Sequence, residues 1–405
     1  MRKTVLAFLS IAGCSAFAAT PVNQTGFESP FNIGNVNSQQ SWFSELATPA
    51  NDFKIQSTRV RTGTKALTFD LKATTGVGAS TTYKITKEGA TSDMYVGSVW
   101  LYVGTDTRSG AVNRGEFGIE ILGDEFELFP GFELYNLGGG IFVTADGKVI
   151  IDGAERRTST LVNSYRDGWM RLEFITKMGN QTGFLRGNLD GVDAGINLTA
   201  RISNIYAVDL YASNLISGSG QRGTNQGFFD DFSVIRYESG DQYVAGRTIL
   251  LNNINEAYPG PQAEKSVKIT LVPVGGGTPV EQTGTMDGDG YFTVDFAGAA
   301  SSTADYEVFV KPRGFLQTRV PGTVKVSEVF QRVSPTIHIN GDINDDNAVD
   351  LLDYFDLSDS YNLALGDNGY NDAADLNGDL SVDLLDYFIL SDSYNLVGDE
   401  PSAGM

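Results

Sequence analysis

The feature that most constrains this chain is an internal duplication near its end. Residues 342–363 read DINDDNAVDLLDYFDLSDSYNL, and residues 375–396 read DLNGDLSVDLLDYFILSDSYNL. The offset is 33 residues, and 17 of the 22 positions are identical. Such self-similarity marks duplication of one supersecondary unit. The same stretch holds much of the chain's acid. Between Gly341 and Glu400 there are fifteen Asp and one Glu, and no Lys or Arg follows Arg332. This gives −16 out of a net charge of −21. A featureless acid block is a disordered tail. Here the acids are regularly spaced and interleaved with Leu, Tyr and Phe, which points to cation binding.

The spacing names the cation. Each copy places carboxylate or amide oxygens at loop positions 1, 3, 5, 9 and 12. In the first copy these are Asp342, Asn344, Asp346, Asp350 and Asp353; in the second, Asp375, Asn377, Asp379, Asp383 and Asp386. Position 7 contributes a backbone carbonyl, which Ala348 and Ser381 supply equally well. This is the oxygen pattern of a calcium loop of the EF-hand type. Two Ca²⁺ ions are therefore expected. Position 12 is Asp rather than Glu and begins a helix, where the N-terminal dipole also favours negative charge. Position 6 departs further. Glycine is usual there because the chain turns sharply, but this chain has Asn347 and Leu380. Leucine tolerates a left-handed backbone poorly, so the second loop is expected to be strained or bent differently, and the weaker of the two.

At these residues the segment 340–398 resembles a type I dockerin, a module of two calcium loops each followed by one helix. The resemblance implies docking onto a cohesin-type protein. It covers the loops better than the recognition surface. Many such modules carry small hydroxyl residues at positions 10 and 11 and basic residues along the helix. This chain has Leu351-Leu352 and Leu384-Leu385, and no basic residue in the module. Cohesin docking and a calcium-stabilised cap or spacer, with the leucines packing the helices together, both stand as readings.

The other end reads as an export signal over residues 1–18. Met1-Arg2-Lys3 is basic, Thr4 to Ala12 is apolar, and Ala16-Phe17-Ala18 offers a small-residue cleavage site. No later segment approaches 18 apolar residues, so no membrane span is expected in the mature chain. The only cysteine, Cys14, lies in Ile11-Ala12-Gly13-Cys14, which resembles a bacterial lipobox. It is either a lipidation site or an ordinary residue of a cleaved signal. In the second case disulfides and thiol catalysis are excluded. The expected location is secreted, extracellular or cell-surface. The acidity argues against nucleic acid as a partner.

Residues 22–237 read as β-structure. Short alternating runs such as 65–71 and 97–103 are separated by Gly, Asn and Asp turn signals. Asn188-Leu189-Asp190-Gly191-Val192 is a tight-turn signal. Two stacked sheets are expected, because one long open sheet would expose its edges. The Trp100 strand, residues 167–172 with Asp190-Gly191, and residues 228–234 resemble a concanavalin-like (laminin-G-like) jelly roll. That resemblance implies binding of sugar or protein, and in some members glycoside hydrolysis.

Hydrolysis needs two carboxylates flanking the bond. The nearest group is Glu116 to Glu127, including Glu120, Asp124, Glu125 and Glu127. The Glu-x-Asp-x-Glu pattern of jelly-roll glucanases is absent, so no catalytic residue is assigned. The single histidine, His338, lies outside this region and reads as a strand residue, so no Ser-His-Asp triad can lie within the large domain. Among the tryptophans, Trp100 and Trp169 read as core. Trp42 follows a polar turn-rich stretch and is the candidate for stacking on a sugar. Asp230 and Asp231 are a lesser calcium candidate.

Residues 244–338 read as a smaller β-sandwich, resembling the transthyretin or carboxypeptidase-regulatory type, with a hairpin turn at Asp287 to Gly290. The expected fold class is mainly β: a large jelly-roll β-sandwich, a smaller β-sandwich, then a small α calcium-loop (dockerin-like) module. The leading function is a secreted calcium-binding modular protein whose jelly roll binds polysaccharide or protein and whose repeat mediates attachment. A glycoside hydrolase and a structural surface or matrix component are the alternatives.

Overall fold

A computed structural model describes residues 19–36, 38–45, 53–70, 79–84, 93–104, 116–129, 132–144, 148–153, 156–161, 168–177, 183–200, 205, 207–213, 226–253, 256–263, 265–326 and 329–401. The export signal and Cys14 lie outside the described residues.

The fold is mainly β, as the alternation of the sequence requires. Strands up to Tyr237 form two antiparallel sheets. One has nine strands, with Trp169–Lys177, Met94–Val103 and Gln226–Tyr237 adjacent at its centre. The other has seven, with Phe132–Thr144, Glu116–Phe129 and Ala207–Ser213 adjacent. Their inner faces share one apolar core. Val99, Leu101, Leu172, Phe174 and Phe229 come from the first sheet; Phe117, Ile119, Ile121, Val208 and Leu210 come from the second. The sheets therefore stack as a β-sandwich.

The strand Met94–Val103 is buried along its whole length. Period-two alternation explains how. Tyr95, Val99, Leu101 and Val103 enter the sandwich core. Met94 and Val96 point the other way, into a second cluster with Ile175, Tyr237, Tyr243 and Phe330. That outer face is covered by the next part of the chain.

Strands from Tyr243 to Ile339 form two further five-stranded sheets. Tyr243–Asn253 lies at the centre of one, antiparallel to Tyr291–Asp295 and parallel to Phe330–Arg332 and Thr336–Ile339. Ser266–Pro273 and Asp305–Pro312 pair in the other. Their core holds Val244, Ile269, Phe292, Val308 and Val310. His338 is a buried residue of Thr336–Ile339, as its strand pattern predicts. Asp287 closes its hairpin by accepting from Asp289 N and Tyr291 N.

The repeat forms two helices, α1 (Leu351–Asp359) and α2 (Leu384–Ser393). Each begins with a capping box: Asp350 with Asp353, and Asp383 with Asp386. Loop positions 9 and 12 thus set where each helix starts. The copies interlock. Ala348 bridges to Val397 beyond α2, and Ser381 bridges to Ala364 beyond α1. Their shared core, including Val349, Leu357, Val382 and Leu390, also takes in Leu316 from the preceding sandwich.

Two expectations need correction. Trp42 is fully buried, not exposed. It packs against Phe27 and Phe232, with ring centroids 5.5 and 5.1 Å away. The polar residues before it form a tight turn that carries the indole into the core, so it offers no face to a sugar. The paired leucines do not pack the helices together. Leu351, Leu352, Leu384 and Leu385 are each more than half exposed, because Leu357, Ile389 and Leu390 already fill the inner face.

Candidate metal centre

The two acidic loops fold alike. In the first, the position-1 carboxylate of Asp342 accepts from Asn347 N through Oδ2 at 2.9 Å. In the second, Asp375 Oδ2 accepts from Leu380 N at 2.8 Å. Asn344 Oδ1 accepts from Asp346 N, and Asn377 Oδ1 accepts from Asp379 N. Asp346 Oδ1 accepts from Ala348 N, and Asp379 Oδ1 accepts from Ser381 N. Asp353 Oδ2 accepts from Asp350 N, and Asp386 Oδ2 accepts from Asp383 N. These Asx-type bonds curl each loop so that the side chains at positions 1, 3, 5 and 12 belong to one turn. Position 6 is left-handed in both, with φ 74° at Asn347 and 73° at Leu380. The strain expected at Leu380 is therefore present.

The ligand set suits calcium in two respects. Asp342 is fully buried, and its Oδ1 has no hydrogen-bond partner. An orphaned buried carboxylate oxygen is costly unless a cation meets it. Burial also raises the carboxyls of Asp342, Asp353 and Asp386 above their ordinary range, against the lowering pull of backbone N–H groups. A divalent cation would offset that desolvation. Among the described residues, no three His, Cys, Asp or Glu side chains are gathered into a ready cage. Calcium loops also draw donors from amides, backbone carbonyls and water. In these loops Asn344, Asn377 and the carbonyls of Ala348 and Ser381 could supply such donors.

Sequence reasoning missed what the preceding sandwich does to the loops. Lys311, on Asp305–Pro312, donates to Asp342 Oδ2 at 2.5 Å and to Asp345 Oδ1 at 2.6 Å. Gln317 N donates to the Asn347 side chain at 2.8 Å. The second loop rests on Tyr258 and Gly260. A Cβ on Gly378 would come within 2.5 Å of the Gly260 Cα, so only glycine fits. Nothing in the local spacing of either loop signals these contacts, which join residues far apart in the chain.

The exposed faces of α1 and α2 form an apolar surface. Phe355 and Phe388 are each more than half exposed beside the leucine pairs. Tyr354 and Tyr387 meet edge-on between the helices at 6.2 Å.

A second cluster lies on the large sandwich, on the face of the seven-stranded sheet opposite its core. Glu120 and Asp209 are direct cross-strand partners there. Tyr211 is on the same face, stacked edge-on with Phe142 at 5.5 Å. Glu120 belonged to the acid group found in the sequence. Asp209, almost ninety residues later, did not; only strand register joins them. Glu125 and Glu127 lie on the strand Glu116–Phe129, opposite Tyr135 and Glu133, and their side chains are outside the described residues. Asp230 and Asp231 are engaged otherwise. Asp230 Oδ2 accepts from Arg61 N, its carboxyl is pushed by burial up to about 7, and Asp231 pairs with Arg61 at 2.6 Å.

No family model matches this chain, and no curated protein does. Among solved structures it is similar to an endo-1,3-β-glucanase from Streptomyces sioyaensis, with 11% identity and a TM-score of 0.39, over 57% of this chain and all of that one. An endo-β-1,4-glucuronan lyase from Trichoderma reesei aligns at 14% identity and a TM-score of 0.36, over 50% of this chain and 93% of that one. A chain of a type II cohesin–X-dockerin complex from Acetivibrio cellulolyticus aligns at 20% identity and a TM-score of 0.28, over 39% and 97%. At TM-scores below 0.5 none of these likenesses extends a function to this chain. Among the described residues, no helix is long and apolar enough to cross a membrane.

Proposed function

We propose that this is an exported calcium-binding modular protein. In this reading the repeat is a dockerin-like attachment module, the smaller sandwich carries it, and the large sandwich binds carbohydrate. Asp342, Asn344, Asp346 and Asp353 would hold one Ca²⁺, with the Ala348 carbonyl and Asp350 completing the set. Asp375, Asn377, Asp379 and Asp386, with the Ser381 carbonyl and Asp383, would hold the other. The ion would neutralise the loop acids and brace the start of each helix.

The observation that carries the attachment reading is the exposed apolar face of α1 and α2, repeated by near-twofold duplication. Six large apolar side chains in two equivalent triplets, each more than half exposed, mark an interaction surface. A cohesin-type protein is the proposed partner. Surface plasmon resonance of the full chain over immobilised cohesins should show binding with calcium and none with chelator. Phe355→Ser with Phe388→Ser should abolish it while calcium binding persists. A flat response to a broad cohesin panel would leave the repeat as a calcium-stabilised cap.

A glycoside hydrolase is the second reading, favoured by Glu120 and Asp209. Directly opposed strand residues have Cβ atoms about 4.5–5.5 Å apart, within reach of the carboxyl spacing of about 5–5.5 Å used by retaining enzymes. Reducing-sugar release from a panel of β-glucans, lost in Glu120→Gln and Asp209→Asn, would establish it. Glycan-array binding without release supports the binding module.

A further inference from the structure

The two loops are nearly identical in sequence, yet the structure treats their first aspartates differently. Asp342 Oδ2 and Asp375 Oδ2 each accept from the backbone N–H of position 6. Asp375 Oδ1 also accepts from Gly378 N at 2.8 Å and Asp379 N at 3.1 Å. The second donor on Oδ2 differs in kind. At Asp375 it is the neutral hydroxyl of Tyr370, at 2.8 Å. At Asp342 it is the ammonium of Lys311, at 2.5 Å. Lys311 is almost fully buried, and it also donates to the Phe315 carbonyl at 3.1 Å. A buried ammonium persists only when it is paired and hydrogen-bonded.

The same lysine accounts for a mismatch between the repeats. Position 4 is Asp345 in the first loop and Gly378 in the second. Asp345 is no calcium ligand by spacing. Its Oδ1 accepts from Lys311 Nζ at 2.6 Å, so it serves the lysine. Gly378 instead lets the second loop rest against Gly260.

Resting on the calcium reading above, we infer that Lys311 acts as a built-in cation for the first loop, making it the weaker and less metal-dependent calcium site. The second loop, with no cationic side chain on Asp375, is the tight site that needs metal to order. An ammonium and a divalent ion sharing one carboxylate repel each other. Even at the dielectric of bulk water this corresponds to about tenfold in affinity. Asp342 Oδ1 stays open to metal, so the first loop is weakened and not abolished. This order reverses the one that backbone strain at Leu380 alone would suggest. Position 6 is left-handed in both loops, with φ 74° at Asn347 and 73° at Leu380, so the loops share that backbone conformation and the charge on Lys311 sets the order.

The test is calcium titration calorimetry on the full chain with one loop disabled at a time. Asp346→Ala leaves the second loop, and Asp379→Ala leaves the first. The second loop should bind about tenfold or more tightly than the first. Lys311→Met in the Asp379→Ala background should strengthen the first loop about tenfold. In chelator, hydrogen exchange should find the Asn347 amide protected and the Leu380 amide exchanging freely. Equal affinities, a tighter first loop, or a folded Lys311→Met chain with unchanged or weakened affinity would overturn the inference. Should Lys311→Met fail to fold, the comparison of the two loops and the exchange pattern still decide it. Absence of calcium heat from the parent and both variants is a separate outcome. It overturns the calcium reading itself, and this inference with it.

Discussion

Arg332, on one sheet of the smaller sandwich, clasps Glu173, on the outer face of the large one, in a buried two-pronged ion pair. Arg332 Nε donates to Glu173 Oε1 at 2.8 Å, and Nη2 donates to Oε2. Both side chains are almost fully buried. Arg171 lies alongside, its Nη1 3.3 Å from Glu173 Oε2. The Arg332 guanidinium also lies over the Phe330 ring, 5.4 Å from its centroid. The ion pair joins strands more than 150 positions apart in sequence.

Removing one partner of this pair should be costly, because the other is left charged and buried. Glu173→Gln is expected to lower stability by about 3 kcal/mol in urea denaturation. Replacing both, as Glu173→Leu with Arg332→Met, should recover part of that loss, with Arg171 still lacking its carboxylate partner. A single variant as stable as the parent would show that water reaches the pair.

Calcium removal should act on the repeat and spare the large sandwich. At a free calcium concentration one hundred times the dissociation constant, each site stabilises by about 2.7 kcal/mol. Chelator should therefore lower the helical circular dichroism signal and the first melting transition. The strand signal should persist. Identical melts with and without chelator would contradict this.

Leu380 holds φ 73° with its side chain more than half exposed. A left-handed L-residue costs about 1–2 kcal/mol, which glycine avoids. Leu380→Gly should keep the bond from its N–H to Asp375 and stabilise the second loop by about 1 kcal/mol. Melting of the repeat at one fixed, saturating calcium concentration, where the second loop is ordered, would report it. A destabilised variant would mean that the leucine side chain contributes more by packing than its backbone loses.

His338 provides a pH dependence. It is fully buried between the Thr336 hydroxyl and the Leu316 carbonyl. Burial, with Lys311 nearby, pushes its pKa down to about 4. The unfolded chain binds a proton near pH 6.5, and the folded chain resists until about pH 4. Stability from this residue is full above pH 6.5 and falls as the pH drops towards 4, by up to about 3 kcal/mol. His338→Gln should flatten that part of a stability–pH curve measured by denaturation.

Much of the architecture was legible because its signals are local. Alternation in Met94–Val103 and the Asp190-Gly191 turn needed only neighbouring residues to be read. The loop oxygens follow one another at fixed offsets, so their order could be read directly, but the helices start earlier than the expected position 12, with Asp350 and Asp383 as caps and Asp353 and Asp386 already in the first turn. Trp42 shows where local reading fails. Polar neighbours suggested exposure, but burial depended on Phe27 and Phe232, which meet it only when the sheets stack.

The duplicated acidic loops are what the sequence by itself determined, because loop geometry is set by residues within one turn of chain. The difference between them was left to the tertiary structure. Lys311 lies 31 positions before Asp342, on a strand of another sheet, and no spacing rule connects them. Glu120 reaches Asp209 only through strand register, and Glu173 reaches Arg332 only when two sandwiches meet. Charge acts through space, so residues remote in sequence distinguish two loops that local chemistry makes nearly the same.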